Sequence, residues 1–146
     1  MKKTDLAYFA GIVDGEGCIV IMRSKRQHST ARSPSFCALL TVTSTDEWLP
    51  HQLRFAFGGT VYLLAPRTNH RKTWRWDIAS KQAMSCLQAL LPYLRLKHEQ
   101  ARIAITLETS IHPKRSPKPL TEEELAFREA QRILIHNLNQ RKGPHA

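Results

Sequence analysis

The chain has no apolar run near the roughly 20 residues that a membrane-spanning helix needs, so no membrane partner is expected. Cysteine is scarce. The three present, Cys18, Cys37 and Cys86, are odd in number and widely separated, which argues against a disulfide framework and against a zinc site built from neighbouring pairs. They are expected to be small buried hydrophobes. The histidines form no HxxxH pattern, so a histidine metal site is not expected either. The N-terminal stretch MKKTDLAYFAG lacks the long apolar run and cleavage signature of a secretory signal. The expected setting is an intracellular, reducing compartment: cytoplasm or nucleoid, or an organelle matrix if the chain is organelle-encoded. Acid is the other shortage, with 12 Asp plus Glu against 22 Lys plus Arg and a net charge of +10. Such an excess favours a polyanion, most simply nucleic acid through its phosphates.

With 146 residues, 42% of them apolar, the chain has one domain's worth of material and enough to bury a core. Asp5 or Thr4 is expected to cap a helix running to about Asp14, with Leu6, Phe9, Ala10 and Val13 as its core face. The opposite face, Ala7, Tyr8, Gly11, Ile12 and Gly15, is also apolar or small. A helix wet on neither side is normally covered on both, so this face points to a partner. Two apolar runs, 18–22 and 36–42, read as a hairpin with a polar connection over 24–35. Ser44 and Glu47 are placed as a capping box for a helix that carries Trp48, Leu49, Leu53, Ala56 and Phe57, with Pro50 forcing a kink or a later start. Gly58-Gly59 ends it, and a second hairpin follows over 60–65 and 73–78. Helical spacing returns over 81–91 and about 97–109. A second capping box, Thr121 to Glu124, opens a last helix with Ala126, Ala130, Ile133, Leu134 and Leu138 as its apolar residues.

The order is αββαββα with extra C-terminal helices. It is an α+β domain whose four strands form one antiparallel sheet backed by helices. Residues 1–111 are expected to form the core, 112–120 a basic Pro-rich linker or loop, and 121–146 a helix and tail packed on the same domain. The αββ unit occurs twice within residues 9–94, and only the first copy carries an acidic, glycine-rich segment.

That segment, Phe9-Ala-Gly-Ile-Val-Asp-Gly-Glu-Gly17, resembles the defining motif of the LAGLIDADG homing endonucleases, with Phe for the first Leu and Glu for the second acid. The following Cys-Ile-Val-Ile strand, "FGG" before the second hairpin, and "PYLRLKHEQA" (92–101) extend the resemblance over roughly residues 5–110. The resemblance implies that motif helices from two chains pack side by side through Ala7, Tyr8, Gly11, Ile12 and Gly15. It also implies that Glu16 protrudes beneath that contact as a metal ligand. Oxygen ligands suit Mg²⁺, with Mn²⁺ as a substitute and Ca²⁺ binding without efficient cleavage. Asp14 is expected to be structural, through capping or helix-end hydrogen bonds, the alternative being a direct metal role. Lys97 matches the family's active-site lysine, and its implied role is to stabilise phosphate charge or organise water. Where single-motif relatives place Gln and then Arg, this chain reads Thr43-Ser-Thr-Asp-Glu47: Ser44 can still hydrogen-bond water, but no arginine stands beside it.

One motif per chain implies a homodimer and a nearly palindromic duplex site. The implied function is a sequence-specific, divalent-metal-dependent endonuclease cutting both strands of double-stranded DNA. The alternative is a non-cleaving nucleic-acid-binding protein on the same scaffold, a splicing cofactor for intron RNA or a DNA regulator. Strand alternation puts Val20, Met22, Ser24, Arg26 and His28 on the DNA side, and likewise Thr73, Arg75 and Asp77, opposite Trp74, Trp76 and Ile78. Arg26 and Arg75 suit guanine or phosphate, whereas Arg32, Arg67, Arg71 and Lys72, near loop tips, suit the backbone.

Overall fold

The computed structural model describes residues 1–24, 33–65, 71–111 and 119–140. Its elements are α1 (Lys3–Glu16), β1 (Gly17–Ser24), β2 (Ser35–Ser44), α2 (Trp48–Phe57), β3 (Thr60–Leu63), β4 (Trp74–Ala79), α3 (Ser80–Leu90), α4 (His98–Ile111) and α5 (Glu122–Asn139), with a 3₁₀ turn at Leu91–Tyr93. The strands form one antiparallel sheet in the order β1-β2-β4-β3, two hairpins joined through β2 and β4. The α+β, αββαββα architecture is as expected. Most of residues 112–120 lie outside the described residues, and α5 packs against β1 and α4.

Helices cover one side of the sheet. Ile19 and Ile21 of β1, Ala38, Leu40 and Val42 of β2, and Trp76 and Ile78 of β4 are buried there, with Val13, Leu53, Leu87, Leu90, Ala104 and Leu107 from the helices. α1 buries Phe9, Ala10 and Val13, the expected face. Its start differs from expectation. No side chain caps it; the N–H groups of Asp5 and Leu6 reach the Lys2 carbonyl, and Asp5 sits in the first turn, where its charge suits the helix dipole.

No loop separates α1 from β1. The Gly17 N–H returns to the Val13 carbonyl oxygen, and a Cβ at Gly17 would lie 2.7 Å from that oxygen, so the joint requires glycine. At the end of α2, Gly58 and Gly59 have φ of 85° and 88°, and a Cβ at Gly59 would lie 2.4 Å from the Asp77 carbonyl oxygen. The buried Trp76 indole donates to the Gly58 carbonyl at 2.8 Å, locking the turn against the sheet.

Two further expectations, at Ser44 and in α5, are corrected. Ser44 does not form a capping box with Glu47. Its Oγ accepts the Asp46 N–H at 3.0 Å, while Asp46 Oδ1 accepts the Trp48 N–H at 2.9 Å. The helix therefore starts late, at Trp48, and Pro50 falls in the first turn, where no helical donor is needed. In α5 the Thr121 cap forms, its side chain accepting the Glu124 N–H, but the apolar phase differs. Ile135 is buried and Leu125 and Leu138 pack on the core, whereas Ala126, Ala130, Ile133 and Leu134 are exposed. Polar anchors set this rotation. Asn139 Nδ2 donates to the Ile19 carbonyl on the edge strand β1, and Arg23 donates to Glu129 at 2.9 Å. The neighbouring Arg132, which also donates to Glu129, holds that carboxyl below its usual range, with Arg23 assisting.

Cysteine burial also differs among the three. Cys86 is buried, its thiol pushed up to about 12 by burial, but Cys37 is half-buried and Cys18 is exposed.

Candidate carboxylate site and nucleic-acid interface

α1 leads directly to the site. Glu16, its last residue, is exposed and has no hydrogen-bond or ion-pair partner among the described residues. Asp14 is different. Its Oδ2 accepts the Arg95 N–H at 2.8 Å, and its Oδ1 accepts the N–H groups of Leu96 and Lys97 at 3.1 and 3.0 Å. The Lys97 ammonium in turn donates to the Asp14 carbonyl at 2.6 Å, one of the carbonyls left open where a helix ends. Lys97 also opens α4, its own carbonyl accepting the Ala101 N–H. One carboxylate thus ties the end of α1 to the turn before α4 and holds the expected lysine two residues from Glu16's backbone. The structural expectation for Asp14 matches this geometry.

Ser44 closes β2 at the same end of the sheet, since Gly17 pairs with Val42 and Ser44 with Trp74. Alternation, however, sends Thr43 to the open side and Ser44 toward the helices, with its Oγ already accepting from Asp46. Asp46 and Glu47, both exposed, add negative charge beside it.

On the expected partner face of α1, Ala7, Gly11 and Gly15 are exposed, Tyr8 is 49% exposed, and Ile12 is half-buried. A Cβ at Gly11 or Gly15 would meet nothing within 4 Å. Nothing among the described residues requires those two glycines, in contrast to Gly17.

The side of the sheet away from the helices is open, and its register aligns side chains in rows across the strands. Nearest Glu16 stand Thr43, Arg75 and Tyr62. The next row is Cys18, Thr41, Asp77 and Thr60. Farther out come Val20 with Leu39 and Ala79, then Met22 with Cys37, and finally Ser24 with Ser35, whose hydroxyls are 2.6 Å apart. Arg75 Nε donates to Asp77 Oδ1, and the Tyr62 hydroxyl donates to Asp77 Oδ2, both at 2.7 Å. The hydrogen bond to Asp77 raises the Tyr62 phenol above its ordinary pKa and strengthens the charged form of Arg75. The guanidinium also lies over the Tyr62 ring.

Of the DNA-side residues expected from sequence, Val20, Met22, Ser24, Arg75 and Asp77 fall on this open face, Thr73 just precedes β4, and Arg71 and Lys72 are exposed beside it. Arg26, His28, Arg32 and Arg67 lie outside the described residues. Arg23 belongs elsewhere, tied to α5. Tyr62, Thr41 and Thr43 were missed, although their alternation with Val61 and Val42 carried the signal. Among the described residues no group of three or more His, Cys, Asp and Glu can hold a metal ion within one chain.

No family sequence model and no curated protein sequence matches the chain. Solved structures do. The homing endonuclease I-CvuI, in complex with target DNA, superposes with a TM-score of 0.76 at 22% identity, over 96% of this chain and 85% of that one. An archaeal intron-encoded homing endonuclease, I-Vdi141I complexed with DNA, gives 0.76 at 11% identity over 98% and 88%. The LAGLIDADG homing endonuclease I-SmaMI, bound to cleaved DNA, gives 0.64 at 17% identity, over 88% of this chain but only 42% of that longer one. The fold is that of the LAGLIDADG homing endonucleases.

Proposed function

Given a LAGLIDADG fold, we propose that the chain is a sequence-specific DNA endonuclease that acts as a homodimer on a long, nearly palindromic duplex. The observation that carries this reading is the open small-residue face of α1, which ends in the unpartnered Glu16. Two such faces packed about a two-fold axis bring two Glu16 carboxylates beneath one duplex. The larger I-SmaMI chain, of which this chain matches less than half, is consistent with two copies being needed.

Paired carboxylates repel unless a cation lies between them. Glu16 is suited to hold one, being an exposed, hard oxygen donor with no competing partner among the described residues, which offer no group of three or more His, Cys, Asp and Glu within one chain. Glu16 from each copy, with DNA phosphate oxygens, would hold Mg²⁺, or Mn²⁺ in its place. Held there, such an ion would supply Lewis-acid polarisation of the scissile phosphate and would favour ionisation of water. Lys97, fixed against the Asp14 carbonyl, stands ready to offset phosphate charge, and Asp14 fixes it there. The polar rows of the open sheet read base edges, with Arg75 preoriented by Asp77 toward a guanine or phosphate. Arg71 and Lys72 serve the backbone.

The stretch Thr43-Ser-Thr-Asp-Glu47, acidic and without an arginine beside Ser44, favours one second reading: a non-cleaving nucleic-acid-binding protein on the same scaffold. Substitution of Glu16→Gln separates the two. Cleavage of duplexes selected from a randomised library in Mg²⁺ should fall by at least about a hundredfold in the variant, while binding in its absence holds or tightens. A variant that cuts at the wild-type rate would remove Glu16 from the chemistry. A wild type that binds selected duplex and never cuts it would establish the second reading.

A further inference from the structure

The open face changes character along its strands. Its two rows nearest Glu16 are polar or charged, but the next two, Val20, Leu39 and Ala79, then Met22 and Cys37, carry no charge and no strong hydrogen-bonding side chain. Met22 is 47% exposed and the other four are half-buried, Cys37 in hydrogen-bond contact with the side chain of Ser80 at the start of α3. Burial raises the Cys37 thiol above its ordinary pKa, so it stays neutral and behaves as a small apolar group. The patch is framed on the same continuous sheet, with Ser24 and Ser35 beyond it and Arg75 and Asp77 before it.

We propose that these two apolar rows read thymine methyl groups in the major groove. Each half of the target then carries A·T pairs at roughly four to six base pairs outward from the phosphate served by Glu16. The inference rests on the nuclease reading above and adds the base class that one stretch of the surface selects. Of all major-groove edge groups the thymine C5-methyl alone is apolar. Guanine oxygen, cytosine amine or adenine amine set against Val20, Leu39 and Met22 would lose water and gain no partner. The position follows from spacing. A strand advances about 3.4 Å per residue, so Val20 and Met22 stand about 14 and 20 Å along β1 from Glu16. Base pairs repeat at about 3.4 Å, which makes each two-residue step match two base pairs. The occupant is DNA rather than a protein because the apolar rows interrupt a polar face that carries Arg75, with Arg71 and Lys72 exposed beside it, and whose row spacing matches the duplex.

Duplexes selected by the full-length protein from a randomised library test this directly. Thymine, on either strand, should recur at those positions. Replacing it with deoxyuridine, which removes the methyl alone, should weaken wild-type binding about three- to tenfold. The same replacement should change binding of Leu39→Ala or Val20→Ala at the contacted position by less than about twofold. Because the change is made in the DNA, the result does not depend on whether a variant folds. Selected sites indifferent at those positions, or deoxyuridine duplexes bound as tightly as thymine ones, would overturn the inference while leaving the nuclease reading intact. Failure to retain any duplex would overturn both.

Discussion

At the end of α1, Asp14 and Glu16 are separated by a single glycine and meet opposite surroundings. Three backbone N–H groups converge on Asp14 from residues 81 to 83 positions away, whereas Glu16 makes no hydrogen bond or ion pair among the described residues. A carboxylate so occupied is a poor free ligand and a good clamp. Removing it by Asp14→Ala leaves the three donors at 95–97 to solvent and should cost about 1–3 kcal/mol, tempered by their exposure. It should also release Lys97 from its place beside the Asp14 carbonyl. Amide hydrogen exchange at Leu96 and Lys97 should accelerate, and cleavage should slow more than DNA binding weakens. Unchanged exchange at those amides would show that the clamp is incidental. The sequence marked Asp14 as structural because it precedes a helix end, but not its partners, which no local pattern joins to it. The glycines carry a similar limit. Gly11, Gly15 and Gly17 look alike in sequence, yet only Gly17 is required by this chain's own backbone.

Elements whose more apolar stripe is also the buried one were legible, and α5, where it is not, was misread. In α1 the buried stripe Phe9, Ala10, Val13 follows from spacing alone, and in β1 and β4 alternation sorts core from open side without help. α5 offers two stripes, and the one with more apolar residues lost. Its rotation is settled by Asn139 and Glu129, whose partners Ile19 and Arg23 lie 120 and 106 residues earlier. Asn139 also occupies a carbonyl of β1, an edge strand that would otherwise be open to pairing. The assignment predicts a contrast in stability. Ile135→Ala should cost about 2–5 kcal/mol in denaturant unfolding, and Ile133→Ala, 48% exposed, should stay within about 0.5 kcal/mol. Equal losses would mean that α5 sits in the other phase. Ser44 failed for a related reason: the short-range pattern Ser-x-x-Glu fits a cap, but the two-residue side-chain bonds of Ser44 and Asp46 compete for the same backbone and win.

At the scale of the whole molecule, a strongly basic chain presents one face of a four-stranded sheet uncovered and one side of its first helix uncovered, with Glu16 where the two meet. The proposed account joins these surfaces through a second copy of the chain. Two-fold packing at α1 turns two open sheets into one long saddle and brings the two carboxylates together. Local patterns in the sequence already separated the two sides of α1, but whether the second side is covered within the chain was a tertiary question. The exposure of Gly11 answers it for one subunit.

Sedimentation of the wild type beside Gly11→Leu tests that account most directly. Since a Cβ at Gly11 meets nothing within 4 Å among the described residues and Gly11 is exposed, the variant subunit should still fold, gaining up to about 1 kcal/mol from replacing a helical glycine. Across a two-fold axis the same leucine intrudes twice, at about 1–3 kcal/mol each. The wild type should sediment as a dimer, and the leucine variant as a folded monomer that no longer cleaves and protects no more than one half-site. A leucine variant that sediments as a normal dimer with full activity would contradict the placement of α1 at the contact, and with it the pairing of the two Glu16 carboxylates.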